Sequence, residues 1–142
     1  MKAIHKILIL LFVTALLIGG GVYWYAFMRP HQNMLKAKPE FELSAKNLFS
    51  EFNENETNAN AKYLGKVVEI TGKVVELKTT NNQTAIVLED EFFGVRTFID
   101  SSFYSTNKKI FESINPGQFV TIRGQCDGML NDVIISRAVI IR

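Results

Sequence analysis

The residues that could act on a ligand gather in two short segments of this 142-residue chain. Arg96 and Phe98 alternate along VRTFI, and Arg123 lies in FVTIRGQC, so the pattern places all three on strands. A guanidinium can pair with phosphate or carboxylate, and an exposed ring can stack on a base. Phe92-Phe93 beside Gly94, and Phe103-Tyr104, put further rings close by in sequence. Two turns add polar and apolar groups: Asn81 and Asn82 in one, Met129 and Leu130 in the other. These seven residues, Asn81, Asn82, Arg96, Phe98, Arg123, Met129 and Leu130, are the candidate binding set.

Catalytic chemistry finds no comparable set. The two histidines, His5 and His31, flank an apolar run, so no histidine lies between residues 40 and 142. That removes Ser-His and Cys-His nucleophile pairs and histidine metal sites from the rest of the chain. The single Cys126 excludes an internal disulfide and a cysteine-cluster metal site, and its inward register reads as a small buried hydrophobe. Glu89-Asp90-Glu91 with Asp100 could make a weak Ca²⁺ site, but the spacing is not diagnostic and a solvated loop is the preferred reading. Asp127 and Asn131-Asp132 read as turn chemistry. No enzyme activity, cofactor or metal is expected.

The candidate residues need a scaffold, and its organising element is KVVEITGKVVEL, Lys66–Leu77. Val68, Ile70 and Val74 share one face with Gly72, while Glu69, Thr71 and Lys73 take the other, which is strand periodicity. A mid-strand glycine implies a bend or bulge, the device that lets one strand serve both halves of a barrel. Strand two follows the Thr79–Asn82 turn and holds Ala85–Leu88. Val95–Ile99 is strand three, Asp100–Ser105 a connector, and Lys108–Ile114 a short helix stopped by Asn115-Pro116-Gly117. Phe119–Cys126 and Val133–Ile141 complete five strands, with Asp127–Asp132 a loop and Ser136-Arg137 a bulge. Ahead of them, Glu42–Tyr63 carries Leu48, Phe49 and Phe52 at helical spacing behind a Ser44 N-cap, and the Asn-rich Asn53–Asn60 can break it in two. Phe49, Phe52 and Tyr63 read as core contacts rather than a ligand cage. Five strands with a helix between the third and fourth is the order of an OB-fold, a mainly β Greek-key barrel. Such barrels bind on the face of strands two and three, between the loops joining strands one–two and four–five.

Charge and hydropathy divide the chain. Ile7–Met28 is uncharged over 22 residues, about 33 Å as a helix, with Lys2 and Lys6 before it and Tyr23, Trp24, Tyr25 and Phe27 at its far end. It reads as a transmembrane anchor, with a cleaved signal peptide the alternative. The expected division is a cytoplasmic N-terminus (1–6), the anchor (7–28), a linker (29–40) and an OB domain with its N-terminal helix (41–142). The short basic start predicts that the domain lies outside the cytoplasm. All 14 acidic residues lie at or beyond Glu40, and residues 40–142 carry eleven basic and fourteen acidic side chains, net −3. A mildly acidic domain has no general attraction to phosphate backbones.

Several positions match a known pattern. Ala61-Lys62-Tyr63-Leu64-Gly65-Lys66 is followed by Val68-x-Ile70-x-Gly72-x-Val74. Gly117-x-x-Val120-x-Ile122-x-Gly124-x-Cys126-x-Gly128 and Asp132-Val133 come later. Over residues 44–141 the chain resembles the tRNA_anti-like family of bacterial OB-fold domains, commonly small exported or membrane-attached proteins. Relatives often carry a second cysteine in the last strand; Ala138 stands there here, so the resemblance implies no disulfide for Cys126. The expected role is a non-enzymatic binding module, anchored in the bilayer through residues 7–28. Its expected partner is an envelope protein, peptide or glycan. Single-stranded nucleic acid is the alternative.

Overall fold

The computed structural model describes residues 2–27, 33–80, 83–90 and 93–141. The chain divides into two units, residues 1–32 and residues 33–142.

The first unit is one helix, α1 (Lys2–Phe27). Its segment Ile4–Tyr25 is long and apolar enough to cross a membrane, and none of it is buried.

The second unit is a closed barrel of five strands, β2 (Val67–Thr80), β3 (Gln83–Leu88), β4 (Val95–Ile99), β5 (Phe119–Met129) and β6 (Val133–Ile140). Around the barrel the order is β2-β3-β4-β6-β5, with β5 returning to β2. Only the β4–β6 pair is parallel. This is the OB order the sequence predicts.

Strand β2 serves two walls in turn. Its first half, Val67–Lys73, pairs with β5, and its second half, Val74–Thr80, pairs with β3. The register slip between them lies at Val75, between Val74 and Glu76, not at Gly72. Gly72 is needed for a different reason. A Cβ there would stand 2.8 Å from the Ala45 Cβ and 3.2 Å from the Leu88 Cβ. The glycine lets a helix and the end of β3 close onto the bend. The expected bulge in the last strand is present: Ser136–Val139 spans what Arg123–Gln125 spans on β5, and Arg137 takes a positive φ of 51°.

An additional short strand precedes the barrel, β1 (Phe41–Ser44), parallel to β2 with Leu43 opposite Ile70. Four residues of FELS are too few for an alternation signal. Ser44 then caps α2 (Ala45–Glu54), its hydroxyl accepting from the Asn47 N–H at 3.1 Å, and Asn55 caps α3 (Glu56–Tyr63) in the same way. The break in the helix therefore falls in the Asn-rich stretch, where side-chain oxygens compete for backbone N–H groups. Leu48, Phe52 and Tyr63 are buried in the core cluster that fills the barrel, and Phe49 packs against it. Each such burial is worth roughly 2–3 kcal/mol. The Tyr63 hydroxyl donates to Glu51 Oε1 at 2.9 Å. The Lys62 ammonium holds the other oxygen at 2.8 Å.

The expected connector after β4 is a helical turn, α4 (Ser101–Thr106), capped by the Asp100 carboxylate on the Phe103 N–H. It is followed by α5 (Lys108–Glu112), shorter than the expected 108–114. The unit also starts earlier than the boundary at residue 41. Asn33–Ala37 forms a turn, with the Lys36 and Ala37 N–H groups on the Asn33 carbonyl, and Met34 and Ala37 join the core cluster. Residues 33–40, eight of the twelve in the expected linker, thus belong to the folded unit.

Candidate functional site

The outer face of β3 and β4 is built by strand parity. Cross-strand neighbours run Glu76, Val87, Arg96 and Ile134 in one row, and Lys78, Ala85 and Phe98 in the next. Their inward-facing neighbours Ile86, Leu88, Val95, Thr97 and Ile99 are buried, and the Thr97 hydroxyl donates to the Ile86 carbonyl at 3.0 Å. The face is thus rigidly backed.

Arg96 lies on this face as expected, but its charge is already engaged. Its Nε donates to Asp132 Oδ2 at 2.9 Å, and its Nη2 lies 2.8 Å from the same oxygen. Asp132 is buried and also accepts from the Gly94 N–H at 3.4 Å. Asp132, read from the sequence as turn chemistry, is therefore the residue that fixes Arg96. The parallel register of β4 on β6 brings them together, and neither segment signals that pairing.

The same contacts stitch two loops at one end of the face. The Val133 N–H donates to the Gly94 carbonyl, and the Leu130 N–H to the Asp132 carbonyl, each at 3.1 Å. The Phe93 N–H donates to Asp90 Oδ1 at 3.2 Å. Gly94 admits no side chain, because a Cβ would stand 2.3 Å from the Leu88 carbonyl oxygen. At this end Phe93 is 66% and Leu130 86% exposed, while Met129 is half-buried and packs against the core. Asn81 and Asn82, at the β2–β3 turn, lie outside the described residues, as do Glu91 and Phe92.

Arg123 does not belong to this face. It points outward from the opposite wall, where Glu69 of β2 and Arg123 of β5 are cross-strand partners. Its Nε and Nη2 hold Glu69 Oε2 at 2.9 and 2.6 Å. Its Nη1 donates to the carbonyls of Met34, Leu35 and Ala37 at 3.3, 3.2 and 2.9 Å. Arg123 therefore leaves the candidate surface: it lies on the β2–β5 wall, where it latches the Asn33–Ala37 turn to the barrel, and not on β3–β4. Alternation gave its strand and its outward direction, but not which wall it faces.

The shifted ionisations lie away from the face. Lys62, hydrogen-bonded to Glu51, lowers that carboxyl, and the same contact raises the lysine. Burial pushes the Tyr63 phenol up. Burial also raises the Cys126 thiol, which is fully enclosed, so the residue is core and not nucleophile. Among the described residues no group of three or more histidine, cysteine or acidic side chains could hold a metal.

Strand order, the helix between the third and fourth barrel strands and the N-terminal apolar helix now meet a family match: the tRNA_anti-like family, over residues 1–140. The chain belongs to that family. Among solved structures it is similar to a Klebsiella pneumoniae protein described as a "putative nucleic acid-binding lipoprotein", 18% identical, with a TM-score of 0.58. The match covers 80% of this chain and all of that one. It is also similar to a chain of the S. pombe Stn1-Ten1 complex (15% identity, TM-score 0.42, 54% and 58% covered). A third is the Entamoeba histolytica asparaginyl-tRNA synthetase (12%, 0.43, 54% and 21%). At 18% identity the likeness to the Klebsiella protein is one of fold. A search of curated proteins finds no match to this chain.

Proposed function

We propose that this member of the tRNA_anti-like family is a membrane-tethered, non-enzymatic binding module. Its β3–β4 face, at the Phe93–Leu130 end, takes a peptide or protein partner outside the cytoplasm. One observation carries the reading. Both arginines of the central strands are committed to carboxylates, Arg96 to Asp132 and Arg123 to Glu69, while two large apolar side chains project where two loops meet. Exposed rings and aliphatic side chains backed by a rigid sheet are what a protein contact needs at its centre. Phosphate binding needs cations in excess over local acids; here Lys78 is set against Glu76 in the neighbouring row. The tether rests on the uncharged α1 segment behind Lys2 and Lys6, and a signal sequence would pass the same test of length and composition.

Single-stranded nucleic acid is the second reading. It is favoured by Phe98 beside Arg96 on β4 and by what the Klebsiella protein is described as binding. Two stacking contacts alone would give only about millimolar affinity. Fluorescence anisotropy of labelled oligonucleotides with the full chain in detergent, across a salt series, separates the readings. No binding at low-micromolar protein is expected. Low-micromolar binding with a steep salt slope, weakened by Arg96→Ala, would replace the protein reading. A photo-crosslinker placed at Phe93 in native membranes should yield a protein or peptide adduct, and Leu130→Ser should reduce it.

A further inference from the structure

The polar cluster around Arg123 holds a five-residue turn in place, and the turn with the residue after it presents one apolar and two cationic side chains outward. Arg123 and Glu69, only 15% and 19% exposed, form a close ion pair on the outside of a barrel wall. The rest of the guanidinium is spent on three carbonyls of Asn33–Ala37. The turn is further closed by the Leu35 N–H on Asn33 Oδ1 at 3.1 Å. Met34 and Ala37 are its inward anchors. Outward it presents Leu35, 49% exposed, with Lys36 and Lys38, both exposed. The ion pairs found among the described residues, Lys62–Glu51, Lys66–Glu40, Arg96–Asp132 and Arg123–Glu69, engage neither lysine. No acidic residue precedes Glu40, and Glu40 itself is paired with Lys66.

An apolar tip followed by two exposed cations, held rigid by a nearly buried ion pair, fits a surface that is anionic outside and apolar beneath. Lipid headgroups over acyl chains are such a surface. The turn also lies near one by covalent length: five residues, 28–32, separate it from the end of α1, a contour of no more than about 20 Å. Lysine attraction to an anionic bilayer decays within a Debye length of roughly 8 Å, so it acts only if the turn rests on the surface.

We propose that Asn33–Lys38 is a membrane foot: Lys36 and Lys38 take anionic lipid headgroups, Leu35 enters the interface, and Arg123 holds the foot rigid against the barrel. The inference rests on α1 being a membrane anchor. Its purpose is positional, since a rigid foot fixes which way the barrel faces at the membrane, where a flexible linker would let it tumble.

The test uses the full chain in vesicles, with Leu35→Cys labelled by an environment-sensitive dye. The enclosed Cys126 does not compete for the label. In phosphatidylcholine mixed with phosphatidylglycerol the emission should shift to the blue and iodide quenching should fall several-fold relative to phosphatidylcholine alone. High salt, or Lys36→Glu with Lys38→Glu, should abolish the difference. Arg123→Met should weaken it while leaving the lysines in place. A label equally open to iodide in both lipids, in protein that floats with the vesicles, overturns the foot and leaves the anchor standing. Protein that does not float with phosphatidylcholine vesicles overturns the anchor, and the foot with it.

Discussion

The two central-strand arginines occupy opposite walls of one barrel, and their surroundings differ in kind. Arg123 is enclosed: all three of its nitrogens donate, to one carboxylate and to three carbonyls of the covering turn. Arg96 is 41% exposed and paired through one oxygen of a buried Asp132, so part of its guanidinium still meets solvent. The same residue type at the same outward parity is a structural latch on one wall and part of a candidate binding surface on the other. What separates them is what the chain lays over each wall. The β2–β5 wall receives Asn33–Glu40, with the Glu40 N–H donating to the Val67 carbonyl. At the β3–β4 wall, the described loops around Gly94 and Asp132 meet at one end of the face.

If that contrast is right, the largest loss comes from the sealed side. Arg123→Ala should cost about 3 kcal/mol, because it leaves Glu69 and three carbonyls without their partner in a mostly buried place. Urea unfolding measures it. Replacing Glu69 and Arg123 together with leucine should cost clearly less, since no orphan charge remains. Equal costs for the single and double variants would mean that packing of the turn, not the ion pair, seals the wall.

A second variant strikes the joint where β2 passes from one wall to the other. Gly72→Ala places a methyl against the Cβ atoms of Ala45 and Leu88, neither of which can rotate away. Overpacking of this kind costs roughly 1–3 kcal/mol. The Glu89 carboxylate, which accepts from the Lys73 N–H at 3.1 Å, should also be displaced, exposing that amide to hydrogen exchange.

On the open wall the effect should be smaller. Arg96→Ala should cost about 2 kcal/mol, less than Arg123→Ala, because the buried Asp132 loses its cation but keeps the Gly94 N–H and no carbonyl is orphaned. The consequence should be local, with faster hydrogen exchange at the Gly94 and Val133 amides, where Asp132 ties the two loops. A loss as large as that from Arg123→Ala would place Arg96 in the same structural class and remove the contrast.

The smallest effect belongs to the helices and leaves both walls alone. Glu51 is held below the ordinary carboxylate value, first by the hydrogen bond from Lys62. A carboxyl lowered in the folded state adds stability that is full above its unfolded value and lost as pH falls through its folded one. Glu51→Gln should therefore flatten the acid limb by lowering stability slightly at neutral pH, where the contribution is full, while leaving stability at low pH nearly unchanged. An unchanged acid limb would show that solvent already screens the pair.

By itself the sequence determined the barrel, the five strands and their order, and the apolar helix ahead of them. Those depend on alternation, on glycine and proline punctuation and on an uncharged run, all local signals carried by successive residues. It also carried the cap at Ser44 and the helix break in the Asn-rich stretch, because both are made by side chains acting on their own neighbours in the chain. Three features were decided only by tertiary structure. FELS is too short to show a period, and it becomes β1 because β2 offers it an open edge. Asp132 fixes Arg96 across 36 residues through a parallel register that no alternation encodes. Arg123 becomes a latch because a turn 86 residues earlier folds back over its wall. Parity says that a side chain points outward. What lies outside is set by chain closure, and that is a property of the whole fold.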